Sequence, residues 1–308
     1  GLSEEQMEEI RKMEAERQAR LAAAPKPIPS ENYTPEALAE FASKTAEGAD
    51  VIFFVGGLAP TIEGEEMRVT IDGFKGGDRE RIELPEVQGK MLKALKATGK
   101  PVVFVLCSGS AVALEQNEKD YDALVCAWYG GQAGGTAVGD IVSGKVSPSG
   151  RLPITFYKST AQLPDFLDYN MKGRTYRYMT EAPLYPFGYG LSYTPFSITY
   201  QSIQKNQNDF ILNVLVKNIG STYSGKEIVQ LYASCPSFNL KKEYHRLCAF
   251  AITKVLAPQE EQLLTLSFPI SYLTSYQEYL SSSILEQGDY ILRIGNHSRN
   301  TIECAVLN

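Results

Sequence analysis

The sequence predicts an α/β layered domain with a mainly parallel sheet, followed by an all-β sandwich. Two observations carry this. Between residues 34 and 157, continuous apolar, β-branched runs alternate with amphipathic helical stretches, the pattern of strands covered on both faces and linked by crossover helices. After residue 196, short strand-like runs follow one another between turn signals with no helical period.

Residues 1–30 form a leader and linker. Glu, Lys, Arg and Ala dominate residues 1–24, with Leu2, Met7, Ile10, Met13 and Leu21 as the apolar marks, so the stretch reads as a weakly amphipathic, solvated helix. Prolines at 25, 27 and 29 end it. The α/β domain is assigned to 31–160. TPEALAEFASKTAEG opens on a Thr followed by an early Glu, a capping-box signature. VIFFVGG (51–57), PVVFVLC (101–107) and ALVCAWYG (123–130) are its buried strands, LPEVQGKMLKALKATG (84–99) an amphipathic helix, GQAGGTAVGDIVSG a small-residue helix suited to tight packing on the sheet, and RLPITFY (151–157) a further short strand. Residues 161–195 form a connecting loop rich in Tyr, Pro and Gly, long enough to suggest a functional or interface role. Seven or eight strand-like runs over 196–308, from FSITYQSI to TIECAVL, fit an immunoglobulin or fibronectin III-like sandwich.

With 44% hydrophobic and 21% charged residues in 308, the chain can bury a sizeable core. Its net charge of −6 lacks the basic surplus that nucleic-acid or anionic-membrane binding needs, so neither partner is expected. No apolar run is long enough to span a bilayer. Five cysteines, mostly in apolar runs and without Cys-x-x-Cys, argue against a disulfide framework or a zinc site. Two histidines nearly remove imidazole-based chemistry, and no metal or cofactor is expected. A chain opening on Gly1, without a signal-peptide pattern, reads as a processed product or a fragment. With the odd cysteine count, it leans to a cytoplasmic location, periplasmic or secreted placement staying open.

The densest acidic site follows the first strand: Gly57-Leu58-Ala59-Pro60-Thr61-Ile62-Glu63-Gly64-Glu65-Glu66, then Asp72 and Gly76-Gly77-Asp78-Arg79. Open α/β sheets place ligands at the carboxyl ends of parallel strands, and a Glu there can act as general acid when its surroundings raise its pKa. A solvated acidic loop is the plain alternative. Gly130-Gly131-Gln132-Ala133-Gly134-Gly135 reads as a tight turn rather than an anion site, because it fits neither Gly-x-Gly-x-x-Gly nor Walker spacing. Cys107-Ser108-Gly109-Ser110 lacks the Gly-x-Ser-x-Gly frame of a nucleophile elbow, which excludes a serine hydrolase. His245 and His297 read as exposed structural residues, and the aromatics of 176–196 as packing groups between domains, with a sugar platform as the alternative.

Several phrases together resemble glycoside hydrolase family 3. ADVIFFVGG, IEGEE and GGDRERIELP are similar to the family loop that carries the acid/base. KPVVFVLCSGSAVAL, AWYGGQAGGTAVGDIVSGKVSPSGRLPITFY and GRTYRY…PLYPFGYGLSYT follow in family order, and NVLVKNIGSTYSGKEIVQLYAS resembles its fibronectin type III-like domain. The resemblance covers residues 45–308. It implies a retaining β-glycosidase of β-glucosidase or β-xylosidase type acting at non-reducing ends of a β-linked oligosaccharide or glycoside. The family's Asp nucleophile lies in a (β/α)8-type barrel that this sequence does not contain, so a barrel is the implied partner. The acid/base position maps onto Glu65, with Glu63 and Glu66 as alternatives. Glu63 and Glu65 could not form the whole catalytic pair, since i and i+2 of an extended segment point to one side, whereas the two carboxyls must flank the scissile bond.

Overall fold

The computed structural model of the chain describes residues 3–23, 33–63, 71–76, 78–238 and 240–307. They group into two compact units. One ends at Ser110 and takes in Leu114–Tyr129; the other holds Ala111–Ala113 and the chain from Gly130 onward.

The first unit opens with α1 (Glu4–Ala23), exposed along its described side chains. In α2 (Pro35–Thr45), Thr34 Oγ1 accepts from the Ala37 amide at 3.1 Å. The residue three places after this cap is Ala37, so the capping box expected from the sequence is only half formed. β1 (Ile52–Gly57) leads into the short α3 (Pro60–Glu63). A two-residue hairpin, β2 (Phe74–Lys75) and β3 (Asp78–Arg79), precedes α4 (Glu86–Ala97), which packs on α2. β4 (Val102–Cys107) and β5 (Ala123–Cys126) complete a three-stranded, wholly parallel sheet of order β1-β4-β5. Val102, Phe104, Val105 and Leu106 of the central strand are buried. β1 differs from expectation. Its apolar run is covered on one face only, and Phe53 and Val55 are 51% and 66% exposed.

The second unit begins with α5 (Gly134–Val142) and includes the four-residue α6 (Thr175–Tyr178). The small-residue helix expected over GQAGGTAVGDIVSG forms as α5, none of whose residues is buried. RLPITFY does not form a strand: Phe156 makes a single bridge to Tyr185. The sandwich has two antiparallel sheets. β6 (Phe196–Asn206), β7 (Asp209–Asn218) and β10 (Glu261–Pro269) form one, in the order β10-β7-β6. β8 (Ile228–Ser234), β9 (Arg246–Ile252), β13 (Tyr290–His297) and β14 (Asn300–Leu307) form the other, in the order β14-β13-β8-β9. Alternation along β7 and β10 turns Leu212, Val214, Val216, Leu264, Leu266 and Phe268 inward to meet Val229, Leu231, Leu292 and Ile294 in one apolar core. A small hairpin, β11 (Ser275–Gln277) with β12 (Ser282–Ile284), stands outside both sheets.

All five cysteines are free thiols. Burial pushes Cys126 and Cys304 up to about 11 and Cys248 up to about 12, which keeps them protonated and unreactive at neutral pH.

Candidate active site

The carboxyl ends of the three parallel strands meet at one place. β1 ends in Gly57, whose φ of +124° and approach to β4 exclude a side chain: a Cβ there would lie 2.0 Å from the Cys107 carbonyl oxygen. Gln88 of α4 clamps this residue from the other direction. Its Oε1 accepts from the Gly57 amide and its Nε2 donates to the Gly57 carbonyl, both at 2.7 Å. The buried Leu58 then donates its amide to Cys107 O at 2.8 Å. The chain turns through α3 and brings Glu63 over the end of β4.

After β4, the buried Ser108 bends the backbone by donating its Oγ to Ser110 O at 2.9 Å. Gly109 sits in the bend. A Cβ on it would be 2.8 Å from the Tyr129 ring and 3.3 Å from a carboxylate oxygen of Glu63, so the ring and the carboxylate close around this glycine. After β5, Trp128 adopts φ +55° and Tyr129 donates its hydroxyl to Leu58 O at 2.6 Å. From the hairpin, Arg79 Nη1 donates to Ser110 Oγ at 2.8 Å, and Ser110 Oγ donates in turn to Glu63 Oε1 at 3.4 Å. Burial holds the Arg79 guanidinium below its ordinary pKa, opposed by the charges of Glu63 and Glu83. Desolvation and then the adjacent Glu63 raise the Tyr129 phenol.

Of the residues singled out from the sequence, Glu63 therefore stands inside a hydrogen-bonded group with Ser110, Arg79 and Tyr129. Glu65 and Glu66 lie outside the described residues. Asp72 is exposed and paired with Arg81. Sequence reasoning set Ser108 and Ser110 aside as a false nucleophile turn and gave Gln88 and Tyr129 no role. The turn is instead the central support of this site. Its signal was only indirect, in the serines and glycine that follow a buried strand.

The remaining candidates fall in the second unit. The Gly130–Gly135 stretch is a tight turn, with Gly134 N donating to Gly131 O at 2.9 Å. The histidines are not exposed as expected. His245 is half-buried against the rings of Tyr176 and Tyr232, and His297 packs edge-on to Tyr189. Burial, reinforced by Arg299 and Arg293, lowers His245 to about 4. The loop aromatics pack together: Tyr176 stacks on Phe187 at 4.3 Å and meets the buried Tyr232 of β8 edge-on. Among the described residues, no three His, Cys, Asp or Glu side chains group to hold a metal, and no helix is long and apolar enough to cross a membrane.

Comparison with known proteins assigns the family. The family model described as Glycosyl hydrolase family 3 C-terminal domain matches residues 4–193. The chain belongs to glycoside hydrolase family 3. A fibronectin type III-like domain model matches residues 227–298. The family match starts at residue 4, well before the phrases at 45 that carry the resemblance. The chain is 54% identical over 188 residues to a xylan 1,4-beta-xylosidase of Xylanibacter ruminicola, covering 60% of this chain and 22% of the relative. It is 34% identical over 254 residues to a periplasmic beta-glucosidase of Salmonella typhimurium, covering 77% and 31%. A solved beta-glucosidase from Kluyveromyces marxianus superposes with a TM-score of 0.75 at 27% identity, covering 92% of this chain and 34% of that one. This family 3 chain thus spans about a quarter to a third of the length of these relatives.

Proposed function

We propose that this chain supplies the acid/base half of the active site of a retaining β-glycosidase of β-glucosidase or β-xylosidase type. One observation carries the reading. The stretch holding Glu65 leaves from Glu63 and returns through the β2–β3 hairpin, and both roots are tied by the Arg79–Ser110–Glu63 chain at the carboxyl end of a parallel sheet. The names of the relatives support the substrate class, a β-linked oligosaccharide or glycoside.

In this reading Glu65 is the acid/base, with Glu63 and Glu66 as alternatives. Glu65 donates a proton to the departing glycosidic oxygen while a carboxylate on the other sugar face attacks the anomeric carbon. As carboxylate, Glu65 then takes a proton from the water that releases the sugar. The nucleophile comes from a barrel outside this chain, so purified alone the chain turns over aryl β-xyloside or β-glucoside no faster than buffer. Glu63, already engaged by Ser110, acts as a positioning residue.

The test is Glu65→Gln in an enzyme that joins this chain to a family 3 barrel. Turnover of substrates with poor leaving groups should fall, activated aryl glycosides should accumulate a covalent intermediate, and azide should restore their turnover. Azide rescue that follows Glu63→Gln or Glu66→Gln instead moves the assignment, and an unchanged leaving-group dependence in all three variants refutes it. The second reading is a carbohydrate-binding or interaction module without catalysis. It requires sugar binding that a co-expressed barrel does not convert into turnover.

A further inference from the structure

We propose that the β11–β12 hairpin of the sandwich is a second glycan-binding surface, one that takes neutral, β-linked polysaccharide chains. Within eight residues, the hairpin and the turn leading into it display three tyrosines to solvent: Tyr272, Tyr276 and Tyr279, exposed by 52%, 61% and 92%. Hydroxyl and amide residues flank them in sequence, Ser271, Thr274, Ser275, Gln277 and the run Ser281-Ser282-Ser283, together with the exposed Leu280 and Leu285, and Glu278 is the one charged residue from 271 to 285. In the hairpin register Tyr276 stands opposite the exposed Ser283.

The chemistry of this patch selects its occupant. An all-equatorial β-pyranose presents C–H bonds on its face and hydroxyls at its rim, so it fits aromatic rings bordered by Ser, Thr and Gln. Stacked bases would bring phosphate charge that needs Lys or Arg, and the displayed segment has neither. A neutral patch matches a neutral polymer.

The backbone that carries the tyrosines is also held in place, which lowers the chain entropy lost on binding. Arg246, at the start of β9, donates Nη1 to the carbonyls of Tyr272 (2.8 Å) and Thr274 (2.7 Å) and Nη2 to Ser275 Oγ at 3.2 Å. Leu273 is buried in the sandwich core between two of these anchored residues. At the tip, Gln277 Oε1 accepts from the Tyr279 amide at 3.3 Å, and Ser281 turns the chain with φ +46°. A buried root and a clamped base thus carry an aromatic tip.

The surface is independent of the acid/base proposal, because binding here needs no turnover. The whole 308-residue chain is run in native gels containing soluble β-1,4-xylan, hydroxyethyl-cellulose, dextran or no polymer. Xylan or hydroxyethyl-cellulose should retard it and dextran should not. Tyr276→Ala with Tyr279→Ala should weaken the apparent affinity about tenfold or more while leaving the thermal midpoint unchanged, since both side chains lie outside the core. In a barrel-joined enzyme the same pair should leave kcat/KM on an aryl glycoside unaltered. The proposal is overturned by equal mobility in all gels, by retardation on dextran equal to that on xylan, or by retardation that the double variant keeps. It is also overturned if the variants change sedimentation without changing mobility in polymer, which makes the patch a protein contact.

Discussion

Arg79 and Ser110, 31 residues apart, are joined by a 2.8 Å hydrogen bond that fastens the hairpin after the acidic stretch to the turn after β4. Ser110 is the shared member, since it also meets Glu63. Ser110→Ala removes a partner from a charged donor and from a carboxylate at once, and should cost about 1–2 kcal/mol of stability. Denaturant unfolding followed by the fluorescence of Trp128, the single tryptophan, reads this unit directly. A midpoint equal to the parent's counts against the anchoring role.

Gly57→Ala should be far more severe. A methyl 2.0 Å from the Cys107 carbonyl forces β1 and β4 apart at a residue whose φ already disfavours side chains, a class of change that costs on the order of 4 kcal/mol or more. The Trp128 signal should show an unfolded first unit while circular dichroism retains the strand signal of the sandwich. A native Trp128 spectrum contradicts the close approach.

Glu63→Gln separates support from catalysis. The amide keeps an acceptor for Ser110, so kcat in a barrel-joined enzyme should fall modestly and the pH profile should keep its basic limb, with no response to azide. For Glu65→Gln the loss should be on the order of 10²–10⁴-fold on unactivated substrates, the span of general acid–base catalysis, and the basic limb should vanish.

Acid should weaken the sandwich unit, and the sign follows from two groups. His245 is held at about 4 against an ordinary 6.5, chiefly by burial, so the unfolded chain takes up a proton first as pH falls. Stability is therefore full above 6.5 and declines down to about 4. Glu243 is lowered despite burial, because Arg177 donates to it and Arg246 adds charge, so its contribution is lost only below the ordinary carboxylate range. Guanidinium midpoints between pH 7.5 and 4.5 should fall for the parent and fall less for His245→Gln. Parallel curves for the two proteins refute the assignment.

Residues 196–308 alone should fold, since Leu212, Val214, Leu231, Leu292 and Ile294 close their core within that span. Residues 130–308 should be more stable, because the shorter piece lacks Tyr176, which meets the buried Tyr232. Dispersed amide spectra for both pieces, with the higher melting point in the longer, is the expected outcome. A disordered spectrum for 196–308 removes the sandwich as a separate folding unit.

These elements were unequally legible in the sequence. Strand runs such as DFILNVLVK carry their own period, and an alternating strand of a sandwich needs no distant information to be recognised. The acidic stretch was also visible as a carboxylate-rich segment after a parallel strand. What joins around it was not, because Gly109 meets Glu63 and Tyr129 only once three strand ends converge, and no local pattern encodes that meeting. His245 was misread for the same reason: the rings that bury it, Tyr176 and Tyr232, lie in the connecting loop and in β8. The uncovered face of β1 was hidden by composition, because Ile-Phe-Phe-Val reads alike whether one side is covered or both.

That face has a colloidal consequence. β1 is the outermost strand of its sheet, so from Ile52 to Gly57 half of its amides and carbonyls point away from β4 with no strand beside them among the described residues. Natural edges are usually blunted by lysine, proline or a bulge, yet this hexapeptide has no charge and no proline, and it shows Phe53 and Val55 to solvent. In concentrated stocks, molecules of this chain should zip together along β1 into cross-β stacks, and a lysine at position 53 or 55 should keep them apart.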